Sequence, residues 1–314
     1  MSSRSQKFDD SPENPVANPV SGPLWLLLNP ASGSNSEDSQ DQLLTALAHS
    51  GHAPARVLRL PEDPLPTRAM LEEAGVGILA IFTGDGTANA QIEKLHGWPG
   101  AVLVLPGGTQ NLLSKALHGH ADAPAIVRRL GTPGMIRTRR QGVRTSAGNA
   151  LVEVLAGPGA TWADVREGVR GGDLGVIASA LGEALHHTAQ GAPVVVSDPP
   201  LGKREGYRAI RIDAQAGGLD LDGYDADDWA DIVAHGVSIL VKRDFRQGPH
   251  EELGQAPAVT CTSAEPIALM IDGERREGCC EETFTCIDIP LDFLATRSDI
   301  APRADITPCS GPTP

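Results

Sequence analysis

Three apolar runs in the first third of the chain each end in a glycine-containing turn. Leu24-Trp25-Leu26-Leu27-Leu28 runs into Asn29-Pro30-Ala31-Ser32-Gly33. Ile78-Leu79-Ala80-Ile81-Phe82 runs through Thr83 into Gly84-Asp85-Gly86-Thr87. Ala101-Val102-Leu103-Val104-Leu105 runs into Pro106-Gly107-Gly108-Thr109-Gln110-Asn111. Short unbroken apolar runs bounded by turns read as strands buried on both faces. In an open parallel sheet, ligands bind just past the carboxyl ends of the strands, so three such loops converge on one site. Their residue types suit phosphate. Glycine lets the backbone approach closely, and hydroxyls and free N–H groups cradle oxygens.

The segments between the runs have helical character. Residues 40–49 place Leu43, Leu44 and Leu47 on one face. Helices are expected over 67–74, stopped by Gly75, and over 87–95, stopped by Gly97 and Pro99. Two more are expected over 111–117 and 123–130, and a second strand over 55–60. Alternating strands and helices imply an α/β domain with a doubly wound parallel sheet. From about residue 135 the pattern changes. Strands are expected over 136–140, 143–146, 150–155, 194–196, 209–212, 258–261, 267–271 and 284–289, and helices over 160–170, 174–188 and 226–242. The division expected is a disordered lead at 1–22, an α/β domain at 23–134, a mostly antiparallel β domain at 135–296 and a loose tail at 297–314. Gly131-Thr132-Pro133-Gly134 is the expected hinge.

Composition narrows the partners. A net charge of −14 argues against nucleic acid and against purely electrostatic docking on an anionic bilayer. The 5 cysteines form no CxxC pair and no Cys/His metal spacing, which fits a reducing cytosol. The first 23 residues are polar and Pro-rich, without the apolar stretch of a signal peptide. No apolar run approaches the roughly 20 residues that span a bilayer. The expected location is cytoplasmic, with any lipid substrate met peripherally and transiently at the inner face of the membrane.

Taken in order, the three loops and Asp272-Gly273-Glu274 resemble the catalytic domain of diacylglycerol kinases and of the related sphingosine, ceramide and bacterial lipid kinases. That family carries NPxSG, GGDGT and PxGTxN loops in this order, and a DGE near the C-terminus. The resemblance covers roughly residues 23–296. It implies a β-sandwich second domain, ATP and Mg²⁺ as cofactors, and transfer of the γ-phosphoryl group to a primary hydroxyl of a lipid such as diacylglycerol or a sphingoid base. The nucleotide residues implied are Asn29, Pro30, Ser32, Gly33, Thr83, Gly84, Asp85, Gly86, Thr87, Asn89, Gly108, Thr109 and Asn111. Asp85 would organise Mg²⁺, and Glu274 would be the general base. Glu205-Gly206-Tyr207 stands where bacterial relatives carry an Asp-Gly-Tyr-like segment that binds a structural Mg²⁺. Thr83 replaces a family glycine, and Ser34-Asn35-Ser36 follows the first loop where a basic residue is common. Phosphate charge must then be met by N–H dipoles, metal or a more distant Lys or Arg.

Each motif also has a plain structural reading. Asp85 is a turn former, Thr109 and Asn111 are helix caps, and Asp272-Gly273 is a hairpin turn. The acidic run Asp220, Asp222, Asp225, Asp227 and Asp228 reads as a solvated loop leading to an N-cap before Trp229, since Gly223 is misplaced for an EF-hand. Arg137, Arg139, Arg140 and Arg144 face either lipid headgroups or solvent. An NAD kinase shares the second loop, but its Asn-Asp/Glu pair after that loop is missing. A catalytically silent nucleotide- or lipid-binding protein is the other alternative.

Overall fold

The computed structural model describes residues 21–33, 35–161, 191–215, 217–225 and 250–300. Strands β1 (Leu24–Leu28), β2 (Arg56–Arg59), β3 (Ile78–Thr83) and β4 (Ala101–Pro106) are parallel, in the order β2-β1-β3-β4. Alternate residues of each run serve opposite faces. Leu24, Leu26 and Leu28 pack with Leu43 and Leu47 of α1 (Glu37–His49) and Ile126 of α5 (Ala123–Val127). Trp25 and Leu27 pack with Leu71 of α2 (Arg68–Glu73), Ile92 of α3 (Asp85–Lys94) and Leu117 of α4 (Leu112–His118). Helices on both faces make the sheet doubly wound. Burying each leucine contributes on the order of 2 kcal/mol, so the apolar runs fix this layer first. Ser36, Thr67 and Asp122 cap α1, α2 and α5 with their side chains.

The sheet continues past β4 through the end of the chain. The 15-residue strand β16 (Glu281–Ala295) returns beside β4, parallel, with Asp292 opposite Ala101 and Phe293 opposite Val102. Leu291, Phe293 and Ala295 thereby enter the core shared by α3 and α4. Strand β5 (Ile136–Thr145) runs antiparallel along β16 and carries β6 (Gly148–Ala150) on its other edge. The first half of β16 pairs with β13 (Ala258–Thr262), followed by β8 (Val195–Asp198) and β9 (Pro200–Leu201).

A second, wholly antiparallel sheet has the order β12-β11-β10-β7-β14-β15. Its strands are β7 (Glu153–Ala156), β10 (Ala209–Gln215), β11 (Gly218–Tyr224), β12 (Glu251–Ala256), β14 (Ala268–Ile271) and β15 (Glu274–Glu277). Val154, Ile210, Ile212, Leu221 and Leu269 of this sheet meet Val143, Val196, Val259 and Phe284 of the first in one sandwich core.

Several local readings change. The strands expected at 136–140 and 143–146 form one strand, Ile136–Thr145, and the pairing of β16 with β4 joins residues on the two sides of 134. Asp220 and Asp222 are not loop residues. They lie in β11, where Leu219 and Leu221 alternate into the core and Asp222 faces Arg211 across the strands. Cys261, Cys279 and Cys280 are free, and Cys286 is disulfide-bonded. Residues 158–161 form a 3-10 turn. Of the helix expected over 160–170, residues 160 and 161 belong to that turn and the rest lies outside the described residues, as do the helices expected over 174–188 and 226–242, the lead to residue 20 and the tail from 301. Asp227, Asp228 and Trp229 lie outside them too.

Candidate active site

The connections turn one way from β1 to β2 and the other way from β3 to β4. The switch point therefore lies between β1 and β3, where a crevice opens in such sheets. The first two loops are tied together there. Asn29 Nδ2 donates to Thr87 Oγ1 at 3.3 Å, and Gly84 N donates to Ser32 Oγ at 2.9 Å. Buried Asn35 ties the first loop to β3, donating to the carbonyls of Asn29 at 2.9 Å and Phe82 at 2.7 Å. The third loop packs directly on the second. A Cβ on Gly107 would lie 2.6 Å from Thr83 N, and one on Gly108 would lie 2.7 Å from Gly84 Cα. Glycine is required at both because backbone lies where a side chain would go.

The N-termini of α3 and α4 differ. Gly84 is the N-cap of α3 and supplies no side-chain hydrogen bond, so the first N–H groups of a 10-residue helix face the crevice without a side-chain acceptor. Such a terminus carries partial positive charge and suits an anion. At α4 the equivalent groups are taken by Asp85. Asn111 N donates to Asp85 Oδ2 at 2.9 Å, and Leu112 N donates to Oδ1 at 2.7 Å. Asp85 thus caps a helix 26 residues further along the chain. Burial raises its pKa, while the N–H groups of Leu112, Asn111 and Leu113 and the charge of Lys115 oppose that shift. Both oxygens that the sequence reading gave to Mg²⁺ are therefore engaged by backbone. Asn111 stands at φ 55 and closes its own loop, accepting from Gly108 N at 2.6 Å and donating to Gly108 O at 2.9 Å. Thr109, Pro30 and Gly33 are exposed on the loop surfaces.

Asp272-Gly273 is the two-residue turn between β14 and β15, with Ile271 opposite Glu274 and φ values of 46 and 88. Two positive φ angles make a type I′ turn, which Asp-Gly favours. This turn is docked on α3 and the third loop. Asp272 is buried and accepts from Leu151 N at 2.6 Å, Val152 N at 2.9 Å, Glu153 N at 3.0 Å and Asn89 Nδ2 of α3 at 2.9 Å. Burial pushes its carboxyl up to about 6, while the three backbone donors pull it back. A Cβ on Gly273 would lie 2.8 Å from Gln110 Oε1 of the third loop. Glu274 lies over the second loop, where a Cβ on Gly86 would collide with Glu274 Oε1. Its other oxygen accepts from Arg276 Nη2 at 2.6 Å, and the side chain is 46% exposed. A carboxylate 188 residues away in sequence thus stands at the open end of α3.

The proposed structural metal site does not assemble. Tyr207 lies in the sandwich core, and its hydroxyl accepts from Lys203 N at 3.0 Å. Glu205 is exposed, and the Lys203 ammonium pairs with Asp225 and Glu251. Among the described residues no group of three or more His, Cys, Asp or Glu side chains is arranged to hold a metal ion. The basic cluster also changes meaning. Arg137 and Arg139 both pair with buried Asp292, at 2.6 Å and 2.8 Å, so they lock β5 to β16. Arg144 remains exposed. No described helix is long and apolar enough to cross a membrane. Sequence reasoning missed Asn35 and Gln110, which brace the loops. Only position beside a recognised loop marks them out.

The fold joins an α/β unit with a doubly wound parallel sheet to an antiparallel β sandwich. Residues 23–138 match the family model of the diacylglycerol kinase catalytic domain. Three solved structures from Bacillus anthracis str. Sterne share the fold. One, of a candidate diacylglycerol kinase, is 14% identical, covers 89% of this chain and 96% of its own, and superposes with a TM-score of 0.58. A diacylglycerol kinase at 12% identity covers 89% and 98%, with a TM-score of 0.54. A further candidate diacylglycerol kinase at 13% identity covers 88% and 98%, also at 0.54. No protein of curated function matches the sequence.

Proposed function

We propose that this protein is an ATP-dependent lipid kinase that phosphorylates a primary hydroxyl. One observation carries the reading. Glu274 stands over bare Gly86 at the uncapped N-terminus of α3, so a proton acceptor and an anion-binding helix end share one crevice. ATP supplies the transferable phosphoryl group. The N–H groups at the start of α3, the Thr87 and Thr109 hydroxyls and the backbone of the first loop would hold its phosphates. Mg²⁺ is compatible with this arrangement as an ion carried in by the phosphates, which needs only one or two protein carboxylates. Glu274 then removes the proton of the acceptor hydroxyl, the role a positioned carboxylate plays in phosphoryl transfer. Asp85 acts as a positioning residue that holds the third loop against the second.

Turnover of radiolabelled ATP over a panel of diacylglycerol, sphingoid base and ceramide, with NAD as a parallel acceptor, tests the reading. A labelled phospholipid is the expected product. Labelled NADP in its place would make the protein an NAD kinase. Nucleotide binding without any product would make it a silent binder.

A further inference from the structure

Resting on that function, the short strand β15 gives Arg276 a part in it. Successive residues of a strand point to opposite faces, so Glu274 and Arg276 share one face of β15, and Arg275 and Glu277 the other. Residues directly opposite in an antiparallel pair also share a face. Glu274 stands opposite Ile271 and Arg276 opposite Leu269, and both of those side chains lie in the sandwich core. Glu274 and Arg276 are therefore on the inner face of the second sheet. Because β15 is the edge strand, they reach past the core and remain half exposed. The backbone beneath Glu274 is already fixed. The preceding turn is anchored by Asp272, which accepts from Asn89 Nδ2 of α3 and from three backbone N–H groups. What stays free is the long Glu274 side chain, and a half-exposed glutamate samples many rotamers. Arg276 removes that freedom. Its Nη2 donates to Glu274 Oε2 at 2.6 Å, and its Nη1 donates to the carbonyl of Arg275 at 2.9 Å.

The two carboxylate oxygens are thereby divided. Oε2 is tied through a rigid planar fork to the backbone of its own strand. Oε1 is the oxygen that lies over Gly86, and among the described residues it accepts no hydrogen bond. We propose that Arg276 is a positioning residue for the candidate base, holding Oε2 so that Oε1 faces the open end of α3. The proton of the acceptor hydroxyl passes to Oε1 as the hydroxyl oxygen bonds the γ-phosphorus and ADP leaves. A half-exposed ion pair adds little to stability. The effect of removing this one belongs in turnover rather than in melting.

The test measures kcat, KM for ATP and melting temperature with diacylglycerol, sphingoid base and ceramide as acceptors. It compares wild type, Arg276→Met, Arg276→Lys, Arg275→Met, Glu274→Gln and the double variant Glu274→Gln/Arg276→Met. Arg276→Met is expected to lose about tenfold in kcat, within the ~10²-fold that misplacing a reacting group can cost, with KM for ATP and melting temperature unchanged. Arg276→Lys keeps a donor for the carboxylate but not the second arm, so it should recover part of the loss. In the Glu274→Gln background Arg276→Met should cost little more, because the group it positions is gone. Arg275→Met removes the same charge from the opposite face and should keep wild-type kcat. An equal fall in Arg275→Met, or a full further tenfold fall in the double variant, would assign the effect to net charge and overturn the proposal. A raised KM for ATP at unchanged kcat would make Arg276 a phosphate contact and also overturn it. If Glu274→Gln loses turnover while Arg276→Met keeps it, only the role of Arg276 fails. If wild type labels no lipid, or Glu274→Gln turns over like wild type, the reading of Glu274 as the base of a lipid kinase fails, and the role of Arg276 with it.

Discussion

At the scale of single residues, the two candidate carboxylates differ in kind. Asp85 holds two backbone N–H groups of a distant helix end, so Asp85→Asn replaces one acceptor oxygen with an NH₂ facing a donor. Leaving such a donor unsatisfied costs about 1–3 kcal/mol. The melting temperature of this variant should therefore fall, and kcat should drop at least ~100-fold, equivalent to about 2.7 kcal/mol of barrier. An unaltered melting temperature would remove the capping role. Glu274 is half exposed and holds nothing but Arg276, so Glu274→Gln should leave stability alone. We expect a kcat loss of about 10²- to 10⁴-fold, typical of general-base removal, with ATP affinity nearly unchanged. Glu277→Gln, on the same exposed edge strand, is the control and should be near neutral. Wild-type turnover in both would reduce Asp272-Gly273-Glu274 to a hairpin turn. Sequence placed Asp85 and Glu274 at the site but could not tell a ligand from a cap. That distinction depends on which N–H groups lie within 3 Å, and these belong to Asn111 and Leu112.

At the scale of elements, the loops work as one braced unit. The second and third touch through glycine backbone, and the hairpin turn of the second sheet presses on both. Valine at Gly108 meets the backbone of Gly84, which cannot move aside. Valine at Gly86 meets only the flexible end of Glu274. Gly108→Val should thus lower the melting temperature and abolish nucleotide-induced stabilisation. Gly86→Val should fold and lose kcat through displacement of Glu274. Equal melting temperatures for the two variants would contradict the packing described. Strand runs and loop motifs were legible because one segment contains each. The strand at 218–224 was legible too, in the alternation Leu219-Asp220-Leu221-Asp222, but its charges masked it. Arg211, the partner that makes those charges tolerable in a sheet, lies on a different strand.

At the scale of the molecule, β16 joins the layers, because its end completes the core around α3 and α4. Ending the chain after Pro290 removes Leu291, Phe293 and Ala295 from that core and Leu294 from the core on the opposite face of the sheet. Loss of cooperative melting is expected even though residues 23–134 are intact; a stable, nucleotide-binding product would show that β16 is dispensable. The acid limb of stability can be assigned as well. His118, at the last turn of α4, is buried with Nδ1 3.1 Å from Thr296 Oγ1, and burial pulls its pKa from 6.5 to about 4. The unfolded chain takes up this proton at higher pH than the folded one, so stability falls as pH drops from about 6.5 to 4, by up to about 3 kcal/mol. Asp272, with its pKa raised, contributes in the opposite sense, losing stability as pH rises from 3.8 to about 6. In pH-dependent chemical denaturation, His118→Gln should show a shallower acid limb than wild type; parallel curves would exclude His118. The sequence by itself determined the layers, because apolar periodicity and glycine turns act over a few residues at a time. It also marked the three glycine loops and the Asp272-Gly273 turn. Only the tertiary structure decided that the last strand crosses into the first sheet, that Asp85 caps a distant helix, and that Glu274 lies over Gly86. Each of these depends on groups 26 to nearly 200 residues apart meeting at hydrogen-bond distance, which local pattern does not encode.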